Sequence, residues 1–427
     1  MIPETSLASS IITCVLFAAM VVVFYMVRPV EERKFLLPLA MIAFVIKAAL
    51  VPLYFQFLVS IGFDGFAFFD SVKYHLASVK MSTDIAYDRP WDGYGWTFND
   101  PGYGFIGAIL YWIFGPNVLI PRFLNVAVSS MTLLYVYRVA RMTFDERAAR
   151  VAAILVAFIP FTLLHTINHR KEPFVQFLAM FIFFHAFCIF RQNKNLIVHV
   201  FFLVIALVGM RYFRNGFVLP FLAVMVVSFL ISQRNLLLGF GLAGITVIAV
   251  IGFQVMVAGD PDASVAADVG RLQGKLARSA SFSEVGGLLR YARMSSLTEI
   301  YKLPLALFLF IIMPFPPFFR EEIPTILLSW ANLFGVALLP HTIRGAWSLL
   351  RRSDWRAYLP VLIFPAVFLL LFSVIHVGLL RYRETISPML MIFAAGGWVL
   401  PRNALLSGII YGGLAALAVL VYTARFA

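Results

Sequence analysis

Apolar residues run in stretches near the length that crosses a bilayer, ~20 residues for a helix, with polar residues gathered in the gaps between them. Such runs lie at 8–27, 35–58, 118–137, 151–167, 173–190, 196–210, 217–231, 236–257, 323–343, 360–375, 386–400 and 405–422. Two more, 105–114 and 303–313, are too short to cross comfortably and are read as dipping into the interface. The pattern predicts an all-α polytopic transmembrane helix bundle of roughly twelve spans. No stretch of ordinary soluble composition stands apart, so residues 1–427 are read as one integral membrane domain.

Two long loops interrupt the pattern, at 59–104 and 258–302. The first crowds Asp64, Asp70, Asp84, Asp88, Asp92 and Asp100 between aromatic residues. Its first part predicts an interfacial helix with Asp70, Tyr74 and Ala77 on one face. Asp70 is expected to cap that helix at about Ser71. Residues 89–95 hold Pro90, Gly93 and Gly95, which break both periods and predict a loop. Asp64-Gly65 and Asp92-Gly93 are explained by turn chemistry.

Composition sharpens the class. The chain is 62% hydrophobic and only 13% charged, with a mean hydropathy of +0.90. Its net charge of +13 lies largely in short loops that set topology, so nucleic acid is not an expected partner. Cys14 and Cys188 fall inside apolar runs, where a disulfide is not expected. The segment Met1–Ser6 lacks a basic region, so the first run is expected to remain as a span. Gly239, Gly241 and Gly244 match a dinucleotide fingerprint, but inside an apolar run with no preceding strand. Close helix packing is the better account of those glycines.

The basic loop Arg138–Arg150 is placed in the cytoplasm, and the 59–104 loop and the N-terminus outside. Arg170, Lys171, Arg211, Arg214, Arg381 and Arg383 then fall at outer ends of spans, against the positive-inside bias. Snorkelling to headgroups explains single cases. Three separate basic pairs point instead to a shared anion, and the Arg fork suits phosphate. Glu172, before Pro173, either complements a helix N-terminus or faces the acidic loop as a second carboxylate. His165, His169 and Glu172 have helical spacing suited to a divalent metal, but no cofactor is expected and a metal is not favoured.

Several segments together resemble the membrane-embedded GT-C glycosyltransferases, the protein mannosyltransferase and aminoarabinose transferase group. Asp70-Ser71-Val72-Lys73-Tyr74-His75-Leu76-Ala77 resembles the D-x-x-x-Y-x-x-A of their first outer loop. Asp100-Pro101-Gly102-Tyr103-Gly104 is similar to the stretch that follows. Pro121-Arg122-Phe123-Leu124-Asn125 through Arg141 resembles their next span, Arg170-Lys171-Glu172-Pro173 the acidic opening of another, and Arg381 through Pro388 the end of their membrane core. The chain differs in having two runs before the acidic loop, Ser71 where many members have a second acid, and no soluble domain after the core.

The resemblance implies a glycosyltransferase that moves a sugar from a polyprenyl-phosphate-linked donor, with inversion, to a glycan, lipid or protein acceptor. It implies a multi-pass protein of the inner (plasma) membrane, acting on the periplasmic or extracytoplasmic side in cell-envelope polysaccharide biosynthesis. Asp70 is the expected base, with Glu172 as a second catalytic acid. Arg170, Lys171, Arg211, Arg214, Arg381 and Arg383 are the expected phosphate contacts. Asp64, Tyr74 and Tyr103 are expected at the substrate, the aromatics stacking on sugar or prenyl chain, as is Trp91. A polymerase or ligase of lipid-linked glycans, and a carrier that flips them, are the alternatives. A carrier needs the arginines but not the Asp70 carboxylate.

Overall fold

The computed structural model describes residues 5–87, 101–191, 195–214, 217–232, 301–312, 323–375, 383–400, 408 and 411–413. Asp88, Trp91, Asp92, Asp100, Arg381, the glycine fingerprint at 239–244, the run 236–257, nearly all of the second loop and most of the last run lie outside them. Among the described residues every regular element is helical. In chain order these are α1 (Leu7–Met26), α2 (Val30–Ser60), α3 (Phe69–Ala86), α4 (Gly102–Phe114), α5 (Leu119–Thr143), α6 (Glu146–Phe158) and α7 (Pro160–Thr166). They continue as α8 (Glu172–Phe190), α9 (Leu196–Arg214), α10 (Val218–Ser232), α11 (Leu303–Ile312), α12 (Ile323–Leu350), α13 (Leu359–Ile375) and α14 (Ser387–Val399).

The all-α membrane bundle is as expected. Among the described residues six helices are long and apolar enough to cross a membrane, or seven if α6 and α7 form one broken span bent by 50°. That break falls within the run 151–167, at Pro160. Proline supplies no N–H and pushes the residue before it, Ile159, into an extended conformation, so the helix restarts rather than continues. The two helices α1 and α2 do precede the acidic loop.

The chain forms two compact units. The first comprises Met1–Arg138, Ala153–Phe184 and Ile205–Phe217. Its axis is α5, buried along nearly all of its apolar window, whereas α1 leaves most of its surface uncovered. Polar bonds fasten α1 and α2 to α5 where apolar packing alone would leave register free. Tyr25 donates to the Ser130 carbonyl at 2.7 Å, Lys47 to Ser129 Oγ at 2.8 Å, and Arg138 pairs with Glu32 at 2.7 Å. In hydrocarbon such groups have no water to fall back on, so these bonds select one arrangement.

The second unit comprises Val139–Ala152, His185–Val204 and Val218–Ala427. Phe221 stacks among Phe364 and Phe368, joining α10 to α13. Close approach of α12 and α14 depends on Gly345 and Gly397, since a Cβ on either would strike the facing backbone at Phe393 or His341. Backbone cannot give way as a flexible side chain does. Gly397→Ala should therefore lower stability by about 1–3 kcal/mol. Thermal unfolding in detergent checks this; an unchanged midpoint would show that the two helices do not need contact at backbone distance.

Candidate functional site

The site lies wholly in the first unit, where α3, α4, α5, the turn 167–171, and the facing ends of α8 and α9 meet. Asp64 is exposed, in the turn whose Gly65 adopts φ +77°, a left-handed conformation that favours glycine. The helix expected near Ser71 begins earlier, at Phe69. Phe68 is its cap residue, so Asp70 sits in the first turn and is not the N-cap. There it still complements the positive helix end, and it is half-buried. Tyr74 is buried one turn further along the same face. The α3 helix packs closely on α4, Ser78 Oγ reaching the Gly104 carbonyl at 3.1 Å.

The turn between α7 and α8 is tied down from the interior. Asn125 on α5 donates from Nδ2 to the carbonyls of Asn168 at 2.9 Å and Arg170 at 2.8 Å, and to the Tyr103 hydroxyl at 3.1 Å. Directly after it, Glu172 opens α8 ahead of Pro173, which is tolerated in a first turn because that N–H has no helical partner. Arg211 and Arg214 occupy the last turn of α9. The acid thus sits at a positive helix end and the arginines at a negative one. Glu172 Oε1 accepts from Arg214 Nη2 and from Arg170 Nη2, both at 3.2 Å. All three side chains are buried. Arg170 also donates to His165 Nδ1 at 3.2 Å, and its guanidinium lies 4.5 Å over the Phe68 ring. Lys171 Nζ lies 5.8 Å from the Tyr74 ring centre. The basic segment therefore rests on the start of α3, beside the turn that carries Asp70.

Arg170, Lys171, Glu172, Arg214 and Tyr74 lie together beside the first turn of α3 that carries Asp70, with half-buried Arg211 on the same last turn as Arg214. Other readings change. His165, His169 and Glu172, whose spacing suited a metal that was not favoured, do not share one helix, since α7 ends at Thr166 and α8 starts at Glu172. Among the described residues no three His, Cys, Asp or Glu side chains form a metal-holding group. Tyr103 offers no surface for stacking: it is 1% exposed, enclosed by Tyr74, His169 and Phe174. Burial likewise takes most of Tyr74 from a ligand. Arg383, in the second unit, has its guanidinium committed to the Phe310 and Ile311 carbonyls and to Asn332 Oδ1, so it closes the C-terminus of α11.

Several residues at the site were not anticipated as such. Phe68 and His165 hold Arg170, Asn125 fixes the turn, and His75 and His169 pack behind Tyr103. His75 Nδ1 lies 2.8 Å from the Tyr111 hydroxyl. Burial, then the charge of Arg122, pushes the His75 pKa down to about 4, and burial holds His169 well below the usual histidine range. Both imidazoles are neutral at pH 7. The available signal was Arg122 and Asn125 lying three residues apart inside an apolar span, since polar groups at membrane depth are rarely idle.

The fold is similar to that of GT-C glycosyltransferases. Residues 98–257 match the family model described as dolichyl-phosphate-mannose-protein mannosyltransferase, as the sequence resemblance led one to expect. The apo crystal structure of the Archaeoglobus fulgidus oligosaccharyltransferase has a similar fold, with a TM-score of 0.52 at 15% identity, over 93% of this chain and 56% of that one. The A. fulgidus oligosaccharyltransferase AglB in complex with an inhibitory peptide and a dolichol-phosphate matches at a TM-score of 0.46 and 16% identity, over 91% of this chain and 55% of that one. The chain thus spans little more than half the length of these structures. No curated protein sequence matches it.

Glu172→Gln tests the cluster. It keeps shape but leaves two buried guanidinium groups without their anion. Breaking a buried pair in this way costs about 3–5 kcal/mol, so the unfolding midpoint should drop sharply. Retention of the parental midpoint would mean the arginines are solvated and the pairing is incidental.

Proposed function

We propose that the protein moves a sugar from a polyprenyl-phosphate-linked donor to an acceptor at the outer face of the membrane, with inversion at the sugar and Asp70 as base. One observation carries the reading: Arg170 and Lys171 lie against Phe68 and Tyr74, which flank and share a face with Asp70. The helix turn that carries Asp70 therefore lies beside Arg170 and Lys171. The family match and the fold of the oligosaccharyltransferase support a lipid-linked donor.

In this reading Asp70 takes the proton of the acceptor hydroxyl as its oxygen attacks the anomeric carbon. The bond from that carbon to the phosphate oxygen breaks, and its electron pair stays on the phosphate. Arg170, Lys171, Arg211 and Arg214 stabilise the charge that develops there. Glu172 is a positioning residue, because Oε1 already holds two of those guanidinium groups in place. Asp64, exposed before Gly65, is assigned to acceptor contact.

Asp70→Asn preserves size in a helix first turn, so folding should be nearly intact. Transfer from a polyprenyl-phosphate donor should fall by ~10²–10⁴ or more while donor lipid still binds. Transfer within a few-fold of the parent would remove Asp70 as base and leave Asp64 as the carboxylate to test. Parent protein that moves labelled lipid between leaflets yet transfers no sugar from any donor would make it a carrier.

The same reading places α3 outside and the start of α6 in the cytoplasm. Thr83 and Arg147 are both exposed and suit single-cysteine labelling after Cys14 and Cys188 are replaced. An impermeant thiol reagent applied from outside should modify Thr83→Cys and spare Arg147→Cys. The reverse pattern would invert the topology.

A further inference from the structure

Arg122 lies in the first turn of α5 and has no exposed surface at all. One nitrogen, Nη2, donates to the Gly65 carbonyl at 2.6 Å. The other two, Nε and Nη1, are buried with no hydrogen-bond partner among the described residues. Among the described residues no carboxylate pairs with it. Its other neighbours are the rings of Phe55 and Phe66, 5.5 and 5.7 Å from the guanidinium carbon, together with Tyr54, Tyr103, Tyr111, His75 and His169, which are neutral at pH 7.

A guanidinium taken out of water loses most of its solvation and needs partners to replace it. Cation–π contacts return only part of that cost, and one bond to a carbonyl returns less than a charged partner would. The N-terminal end of α5 adds positive potential and raises the cost. Water would supply dipoles to Nε and Nη1 but no opposing charge.

We propose that Arg122 holds a single small monovalent anion of the halide type, bound by Nε and Nη1 behind the Asp64–Gly65 turn. The site is separate from the one assigned to the donor phosphate. Arg122 has no exposed surface, so the site suits a bare ion rather than a lipid headgroup. By neutralising Arg122 the ion lets the guanidinium stay charged while it pins the Gly65 carbonyl, and so holds the turn that leads into α3.

The test uses the full chain in detergent, at constant ionic strength, in sodium chloride, sodium bromide or sodium gluconate. Chloride and bromide should raise the parental unfolding midpoint by a few degrees, saturably, and gluconate should not. Arg122→Gln should abolish the difference. A halide effect that persists in Arg122→Gln, or no halide effect in the parent, overturns the proposal. Should Arg122→Gln fail to fold, bromide-soaked crystals of the parent decide. An anomalous peak within hydrogen-bond reach of Nε and Nη1 supports the site, and water alone there overturns it.

Discussion

The ion triad of Glu172 with Arg170 and Arg214 is the constraint on which the site depends. Each guanidinium reaches the same carboxylate oxygen at 3.2 Å, in a buried setting. Charges so placed are costly alone and tolerable only together. The pairing therefore fixes where α8 begins relative to where α9 ends. Helix dipoles favour the same arrangement, the acid at an N-terminus and the base at a C-terminus. Two membrane helices are joined by their ends at the place where a charged ligand would be held.

Behind the triad, α5 does the positioning. Its polar groups, side chains and the Ser130 carbonyl, are spaced along a helix otherwise devoted to packing, and each reaches a different element. Ser129 and Ser130 receive α2 and α1, Asn125 holds the turn before α8, and Arg122 holds the turn before α3. In lipid, apolar contact does little to choose a register, because lipid tails compete equally well. Directional bonds make the choice. The elements around the site are thus referenced to a single helix, which keeps their charged side chains in fixed relation.

Much of this was legible along the chain. Apolar run lengths gave the helices to within a few residues at α1, α8 and α14, because a bilayer imposes its thickness directly on sequence. The charges at Arg170, Lys171, Glu172 and Arg214 stood out because they lie where membrane economy disfavours them. Other readings failed for a common reason. Tyr103 looked like a ring that stacks on substrate and is enclosed; Arg383 looked like a phosphate contact and caps α11; His165, His169 and Glu172 looked like one helical stripe and are split by a turn. In each case the residue type was compatible with the suggested role, but a partner distant in sequence had already claimed it.

The sequence by itself determined the class: a helical membrane protein with an acidic aromatic loop and misplaced cations, similar in ordered segments to GT-C transferases. Hydrophobic periodicity and charge placement are local properties, and one chain suffices to read them. Only the tertiary structure decided which charges meet. Glu172 and Arg214 are separated by the whole of α8 and α9, and Arg122 and Gly65 by α3 and α4. Nothing in local pattern encodes such a pairing. It follows from the packing of helices that leaves a buried charge one low-energy partner, and that selection exists only once the bundle has closed.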